Sequence, residues 1–534
     1  MDLVHQNWAS WNQMTMYFLN MDCSIEYELM ENFCYMFHFD LMTNLYVMTV
    51  MLISSAIFMY SKEYIMKEEK INTWFYPCLS FFVLSMLILI MSSSLVTSLI
   101  GWEGLGITSI ILILHYFSKK AMESAFYTYF ITRLGDSFFL IASAYWLCST
   151  LNVEFINLSS APKLVIFFLI ALMTKSAMLP FSEWLPKAMM APTPISSLVH
   201  SSTLITAGIL LMMRYNSVIS SLTNTKWFLI IAVTTLFMSS VSAFMATDLK
   251  KIIAMSTLSQ MMMIIITVLA GNSKLAFIHL TMHAFTKAML FMIIGSILHY
   301  SQSEQDIRKI FINMKTYPLL SIMLNSAIMS LCGMFFFSGF YSKDMIMEMF
   351  MYKKTIFFMF ILINTSVCLT AIYSFRILSL INLIPNNTWI MKSTNMKMLQ
   401  TIMIMLFYTT IFGTFFIWIL PLIPFNLMTK SDKIFLQIII LSGMITGWYW
   451  FYKIYFFLSS SWYIMFIGKM ASETLKILTS LTQVISSMLQ FYNSMMWSIL
   501  KKWATLSHQN ILFNSKNTLK ALMLISMIFL LMIL

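Results

Sequence analysis

The sequence predicts an all-α polytopic membrane protein of about fourteen transmembrane helices, completed by a long amphipathic lateral helix and a final anchoring span. Three observations carry this. Of 534 residues, 59% are hydrophobic and 10% charged, against roughly 25% charged in a soluble domain. Apolar runs of about 20 residues, the length that crosses a bilayer, recur along the chain. Near the end, one segment switches to a three-and-four periodicity too long for a span. The same numbers exclude a soluble enzyme, a disordered chain and a nucleic-acid binder.

Taken in order, residues 1–39 form an acidic, non-spanning segment. They hold Asp2, Asp22, Glu26, Glu28 and Glu31 and no Lys or Arg, the opposite of an Arg-rich transit peptide. A first span, 40–60, lies with its loop in 40–76. Spans at 77–94, 95–117, 124–148, 163–180 and 194–213 make a first group, 77–213. Spans at 226–246, 250–270, 274–299, 317–338 and 355–381 make a second, 226–381. Two accessory spans, 400–422 and 434–457, follow within 400–457.

Each group of five contains one interrupted span. Pro180, Pro186, Pro192 and Pro194 break the run after 163, and Gly333 and Gly339 break the run after 317. Matched broken spans point to two five-helix inverted repeats around a mid-membrane ion path. Ordinary helix kinks explain the same residues equally well at this level.

In 462–511, apolar Leu478, Leu481, Ile485, Met488, Tyr492 and Met495 alternate in steps of three and four with polar Lys476, Ser480, Gln483, Ser487, Gln490 and Ser494. That is an amphipathic helix. At 1.5 Å per residue it reaches about 70 Å, so it is expected to lie along the membrane and brace partner proteins. Residues 518–534 then anchor it. If the spans alternate, thirteen basic loop residues, among them Lys62, Lys119, Lys120, Lys187 and Lys250, fall on one side. Eight, among them Lys163, Arg214 and Lys226, fall on the other. The first side faces the cytoplasm or its organelle equivalent, and it carries the lateral helix.

Six cysteines are scattered without a C-x-x-C, and no Walker A pattern occurs. Iron–sulfur, structural-zinc and nucleotide chemistry therefore lack a framework here. The cluster Gly101-Trp-Glu-Gly104-Leu-Gly106 reads as close helix packing. With 53 Met and 13 Gly, the composition fits an AT-rich organelle gene.

Charges inside spans need a reason, because a central Lys, Arg or Asp costs about 2.5–3.5 kcal/mol on insertion scales. Glu103 lies in the third span. Arg133 and Asp136, at i and i+3, read foremost as a structural ion pair. Lys175 precedes the first break and His200 follows it. His279, His283 and Lys287, at i, i+4 and i+8, line one stripe of one helix and resemble a proton relay. Lys343 and Asp344 follow the second break. Arg376 reads as a snorkelling helix-end anchor.

Several runs together resemble a known family. They are Gly101-Trp-Glu-Gly-Leu-Gly106, Arg133-Leu-Gly-Asp136, Lys175-Ser-Ala-Met-Leu-Pro180, Trp184-Leu-Pro-Lys-Ala-Met-Met-Ala-Pro-Thr-Pro194, His200-Ser-Ser-Thr203, Asp248-Leu-Lys-Lys251, Ser256-Thr-Leu-Ser-Gln260, His283-Ala-Phe-Thr-Lys287, Ser342-Lys-Asp344 and Tyr373-Ser-Phe-Arg376. In order and spacing the chain resembles the antiporter-like membrane subunits of mitochondrial NADH:ubiquinone oxidoreductase, respiratory complex I. Its lateral helix and last span are similar to the subunit 5 branch.

The resemblance implies a proton-translocating subunit of a redox enzyme in the mitochondrial inner membrane, with the lateral helix on the matrix side. It implies Glu103 and Lys175 as a switch pair, then His200, Lys287, His283, His279 and Lys343 as a path, with Arg133, Asp136 and Asp344 in support. It implies no cofactor in this chain: NADH, FMN, iron–sulfur clusters and ubiquinone would belong to other subunits. The expected partners are those membrane-arm subunits, the lipid bilayer and protons, and no nucleic acid. The family pattern has two further spans before the acidic segment, which this sequence lacks. A stand-alone cation/proton antiporter of the Mrp type is the alternative, and a purely structural scaffold is the third reading.

Overall fold

The computed structural model describes residues 37–65, 74–116, 118–151, 161–216, 219, 226–301, 304–307, 317–352, 357–383, 396–419 and 437–447, with a short pairing at 27–28 and 34–35. The lateral helix expected at 462–511 and the anchor span at 518–534 lie outside the described residues, as does most of the acidic segment.

Residues 448–457 of the span expected at 434–457 lie outside the described residues. Within the described residues the first thirteen expected spans fold as helices, most with ends shifted by a few residues. They are α1 (Leu41–Ile65), α2 (Phe75–Met91), α3 (Leu95–Ile113) and α4 (Lys119–Leu151). Then come α5 (Ala161–Lys175), the short α6 (Trp184–Ala188) and α7 (Thr193–Arg214). The second half holds α8 (Lys226–Met245), α9 (Leu249–Leu269), α10 (Ser273–Tyr300), α11 (Pro318–Cys332), α12 (Ser338–Tyr352) and α13 (Phe357–Leu383). The last described helices are α14 (Met396–Ile419) and α15 (Gln437–Gly447). Tyr27–Glu28 and Cys34–Tyr35 form a minimal antiparallel pairing. Among the described residues, eight helices are long and apolar enough to cross a membrane.

Burial sorts these helices into a core and a rim. The apolar windows of α10, α7 and α9 are 100%, 94% and 89% buried inside the protein, whereas those of α1, α8 and α14 are at most 44% buried. Rim helices face lipid on one side, so their apolar residues need no protein partner. The three core helices are shielded from lipid, and a polar side chain on them meets protein.

Both expected breaks are present, and they are built alike. The span expected at 163–180 stops at Lys175, five residues before Pro180. Its last turn closes on Ala177, whose φ of 56° is left-handed, and Met178 N–H donates to Met173 O at 3.0 Å. The second span stops at Cys332 and closes on left-handed Gly333, with φ 82°, and Met334 N–H donates to Met329 O at 3.1 Å. This is the six-to-one closure that satisfies orphan carbonyls at a helix end. At the first break the Trp184 indole also donates to Thr174 O at 2.9 Å.

Helix α7 is not a plain α-helix. Its segment Ser196–Thr203 is π-helical. Hydroxyls answer the carbonyls this wider turn frees: Thr203 donates to Leu198 O at 2.9 Å and Tyr46 of α1 to Ser202 O at 2.8 Å. Such turns concentrate at functional positions, and His200 sits in this one.

Two arginines depart from their sequence reading. Arg376 does not snorkel. Its guanidinium donates to Phe244 O and, at 2.8 Å, to Ala246 O, closing the C-terminus of α8. Arg214, counted above as a loop charge, donates to Ile90 O at 2.6 Å, closing the C-terminus of α2. A cation at that end of a helix completes the macrodipole. The glycine cluster packs as expected: Gly101 and Gly104 of α3 lie against Leu89 and Ser85 of α2.

Candidate functional site

The intramembrane charges fall into two clusters with His200 between them. In the first, Lys175 is the last residue of α5 and fully buried. Its ammonium donates to the main-chain carbonyl of Trp102 at 3.1 Å and lies 4.8 Å from the centre of the Trp102 ring. A Cβ on Gly106 would stand 3.5 Å from the same nitrogen. The Trp102 indole donates to Asp136 Oδ1 at 2.7 Å, and Arg133 pairs with Asp136 Oδ2 at 3.3 Å. Lys175, Trp102, Asp136 and Arg133 thus form one connected chain across α5, α3 and α4. The expected Arg133–Asp136 ion pair is present.

Glu103 stands beside this chain. It is half-buried on α3, and among the described residues no ion pair joins it to Lys175. Trp102, its neighbour in sequence, makes the contact instead. Sequence reasoning missed Trp102, although it sits inside the Gly101–Gly106 run.

His200 is fully buried. Its ring lies 6.4 Å from that of Trp184, the residue that closes the first break. Neither ring nitrogen of His200 has a hydrogen-bond partner among the described residues, so no direct bond links it to either cluster.

The second cluster is built on the α10 stripe. Lys287 donates to Ser256 Oγ of α9 at 2.5 Å. His279 is held at both nitrogens: Nδ1 meets Ser342 Oγ at 2.8 Å and Nε2 meets Gln260 Oε1 at 3.3 Å. His283 lies between, its ring 6.5 Å from that of His279, with no partner at either nitrogen among the described residues. Lys343 of α12 reaches back to donate to Leu331 O, near the end of α11. Gln260, His279, His283, Thr286, Ser330 and Lys343 line a cavity of about 10 Å³, room for roughly one water. Asp344 is turned elsewhere and accepts from Gln437 of α15 at 3.1 Å.

Ser256 and Gln260 also escaped the sequence reading as site residues. Their signal in the sequence is two polar residues at i and i+4 within the apolar span 250–270. Lys250, counted above as a loop charge, is a correction. It is 6% exposed and donates to Ala191 O at 3.1 Å, because α9 starts under the loop that precedes α7. Among the described residues no group of three His, Cys, Asp or Glu side chains stands ready for a metal. The arrangement offers hydroxyls, imidazoles and amines on buried helices, which is equipment for moving protons.

Comparison with known proteins agrees with this architecture. Residues 92–370, just over half the chain, match the NADH:quinone oxidoreductase/Mrp antiporter transmembrane family. Curated relatives include NADH-ubiquinone oxidoreductase chain 5 of Anopheles gambiae, 42% identical over 64% of this chain and 60% of that protein. The chain 5 protein of Anopheles quadrimaculatus is 38% identical over 77% of this chain and 73% of the relative. That of Lumbricus terrestris is 39% identical over 75% and 71%. This chain thus spans about 60% of the length of the first of these relatives. A solved structure of an Mrp complex from Dietzia sp. superposes with a TM-score of 0.72 at 20% identity, over 96% of this chain and 57% of that one, a likeness of fold. The chain belongs to the NADH:quinone oxidoreductase/Mrp antiporter transmembrane family, within its NADH-ubiquinone oxidoreductase chain 5 branch.

Proposed function

We propose that this chain is a membrane-arm subunit of NADH:ubiquinone oxidoreductase that translocates protons across the mitochondrial inner membrane, while electron transfer from NADH to ubiquinone takes place in other subunits. One observation carries the reading: titratable groups that are costly in lipid are buried inside the protein, and Lys175, Lys287, His279 and Lys343 bond to hydroxyls, carbonyls and an amide rather than to carboxylates. Lys175, His200, Lys287, His283, His279 and Lys343 are all at most 4% exposed. A scaffold would fill such positions with apolar residues at lower cost.

In this reading protons pass from the Lys175 cluster through His200 to the α10 stripe and leave past Lys343. Asp136, oriented by Trp102 and Arg133, sets the charge felt by Lys175. Glu103 adds to that field from the next position on α3. No cofactor is assigned to this chain: NADH, FMN, iron–sulfur clusters and ubiquinone are assigned to partner subunits. The lateral segment 462–511 is assigned to the matrix side as a brace against those partners, and 518–534 to its anchor.

Residues 77–213 and 226–381 are read as inverted repeats. Arg214 and Arg376 support this, because each lies on the last helix of its repeat and bonds the last turn of the first. Ile90 and Phe244, whose carbonyl oxygens accept from the two guanidinium groups, are both penultimate in their helices. Inversion sets the two arginine clamps on opposite membrane faces. The matched closures at Ala177 and Gly333 support the same reading.

The test is Lys175→Ala in the assembled complex, with NADH-driven proton pumping measured in sealed vesicles against NADH oxidation. Pumping is expected to fall by about tenfold or more. Normal pumping with normal complex content would overturn the proposal. The superposition on the Mrp complex favours a second reading, exchange of a cation for protons by this chain alone. Sodium-driven proton release by the purified chain would establish that reading, and its absence would leave the first.

A further inference from the structure

We propose that Gln260 and Ser342 are positioning residues that give the two nitrogens of His279 separate tasks: Nε2 keeps its hydrogen on Gln260, and Nδ1 gains and loses the transported proton through the Ser342 hydroxyl. The inference rests on the proton-translocation reading above and goes beyond it, because it divides roles among residues that the α10 stripe alone leaves equivalent.

The geometry has three parts. Gln260 presents its amide oxygen to Nε2 at 3.3 Å. An amide oxygen accepts and cannot donate, so Nε2 carries a hydrogen whether the ring is neutral or charged. Nδ1 is therefore the nitrogen that changes state. It faces Ser342 Oγ at 2.8 Å, and a hydroxyl can take either role toward it. Finally, Gly339 O lies 3.4 Å from the same oxygen and gives the hydroxyl hydrogen a second place to point.

These parts define two fully bonded states. With His279 neutral, Ser342 O–H donates to Nδ1. With His279 charged, Nδ1–H donates to Ser342 Oγ, and the Ser342 hydrogen turns to Gly339 O. Protonation follows from the first state: the Ser342 hydrogen passes to Nδ1 as a proton from a cavity water or the Lys343 ammonium replaces it on Oγ. The proton count balances, with one proton in and one positive charge gained on the ring. Release reverses the hydrogen-bond changes: Nδ1 returns its proton to Ser342 Oγ, and the Ser342 hydrogen displaced passes to a neutral Lys343 amine when the cavity water was the source, which moves one proton from cavity to Lys343. All four groups are buried: Gln260, His279, Ser342 and Lys343 are at most 4% exposed, so bulk water does not bypass the hydroxyl.

The consequence is asymmetry along α10. His279 exchanges its proton only toward the second break, where Ser342 is the residue before Lys343. Both histidines line the cavity, but both nitrogens of His279 are taken by Gln260 and Ser342, whereas those of His283 are unbonded among the described residues, so His283 exchanges directly with the cavity. A stripe of two equivalent histidines becomes one with open nitrogens and one gated by a hydroxyl.

The experiment is NADH-driven proton pumping by the assembled complex in sealed vesicles, normalised to complex content. Ser342→Thr keeps a hydroxyl and is expected to pump near the parent rate. Ser342→Ala removes the hydroxyl and is expected to slow pumping by about tenfold or more. Equal pumping by the two variants, whether both normal or both impaired, overturns the inference, since packing alone would treat them alike. If Ser342→Ala fails to assemble, Gln260→Glu, of the same size, decides. A carboxylate competes for the Nε2 hydrogen and slows pumping, and an unchanged rate overturns the inference. Lys175→Ala serves as the separate control. If it is impaired while Ser342→Ala is normal, this inference falls and the proposed function stands; if it too pumps normally, the proposed function falls as well.

Discussion

Trp102→Phe isolates the bond that connects the first break to the buried carboxylate. The phenyl ring keeps an aromatic surface for Phe139, now stacked on Trp102 at 5.0 Å and 24°. The main-chain carbonyl that accepts from Lys175 is untouched. What disappears is the indole N–H, which donates to Asp136 Oδ1 at 2.7 Å. A hydrogen bond to a charged group contributes about 1.5–3 kcal/mol net. The smaller ring also weakens the cation–π contact with Lys175, a contribution of about 0.5–1 kcal/mol.

Asp136 then keeps its ion pair with Arg133 at 3.3 Å and is free to turn away from Lys175. If that carboxylate sets the field for a proton step at Lys175, the loss of about 2–4 kcal/mol slows the step by roughly 30- to 1,000-fold. The assay is proton pumping and NADH oxidation by the assembled complex, with Asp136→Asn beside it. The asparagine keeps an acceptor for the indole and removes the charge. Both variants are expected to pump poorly, and at least Asp136→Asn is expected to assemble. Parent-level pumping by Trp102→Phe, in a complex of normal content, would refute the linkage through Trp102.

Two further predictions concern architecture. A Cβ on Gly339 would overlap the carbonyl oxygen of Ser330, so Gly339→Ala is expected to force α11 and α12 apart and lower the amount of assembled complex on native gels. Gly106→Ala, whose new methyl would meet only Lys175 Nζ at 3.5 Å, is expected to assemble normally. Arg376→Met removes two hydrogen bonds to carbonyls and Arg214→Met removes one, at about 1.5–3 kcal/mol each. Arg376→Met is therefore expected to lower the complex's thermal midpoint further than Arg214→Met.

Much of this fold is legible in the sequence because a bilayer admits few solutions. Backbone groups in lipid must be bonded within a helix, so apolar length locates the spans, and most described helix ends fall within a few residues of expectation. Proline and glycine locate the two breaks. A spacing of four places His279, His283 and Lys287 on one stripe, and all three are buried on the most enclosed helix.

Partnership between helices is not legible in the same way. Periodicity tells which face a residue occupies and is silent on what lies opposite. Lys250 counts as a loop charge until the chain's path from Ala191 into α7 is known. Arg376 looks like a snorkelling anchor until α8 is seen to end beside it. Glu103 is the obvious acid for Lys175 by type, yet Trp102 and Asp136 make the connection, since helix packing turns position 102 toward Lys175. Gln260 and Ser256 carry no charge, so a search for costly charges passes over them.

The way the buried lysines are held bears on how they can work. Lys175 donates to Trp102 O, Lys250 to Ala191 O, Lys343 to Leu331 O and Lys287 to Ser256 Oγ. Each acceptor is a neutral oxygen. Had the partner been a carboxylate, loss of the proton would leave a buried charge uncompensated, at a cost of about 3–5 kcal/mol. An amine that loses a proton to its path still has N–H groups to donate to a carbonyl or hydroxyl, so the bond survives in both states. The charged state is not abandoned either. Lys175 ends half-helix α5, and Leu331 O lies in the last turn of half-helix α11, where the macrodipole places about half a negative charge. The two breaks thus supply fixed negative ends inside the membrane without supplying carboxylates. A lysine held this way can carry a proton or give it up while its hydrogen bond stays made, which is the property a step in a proton path requires.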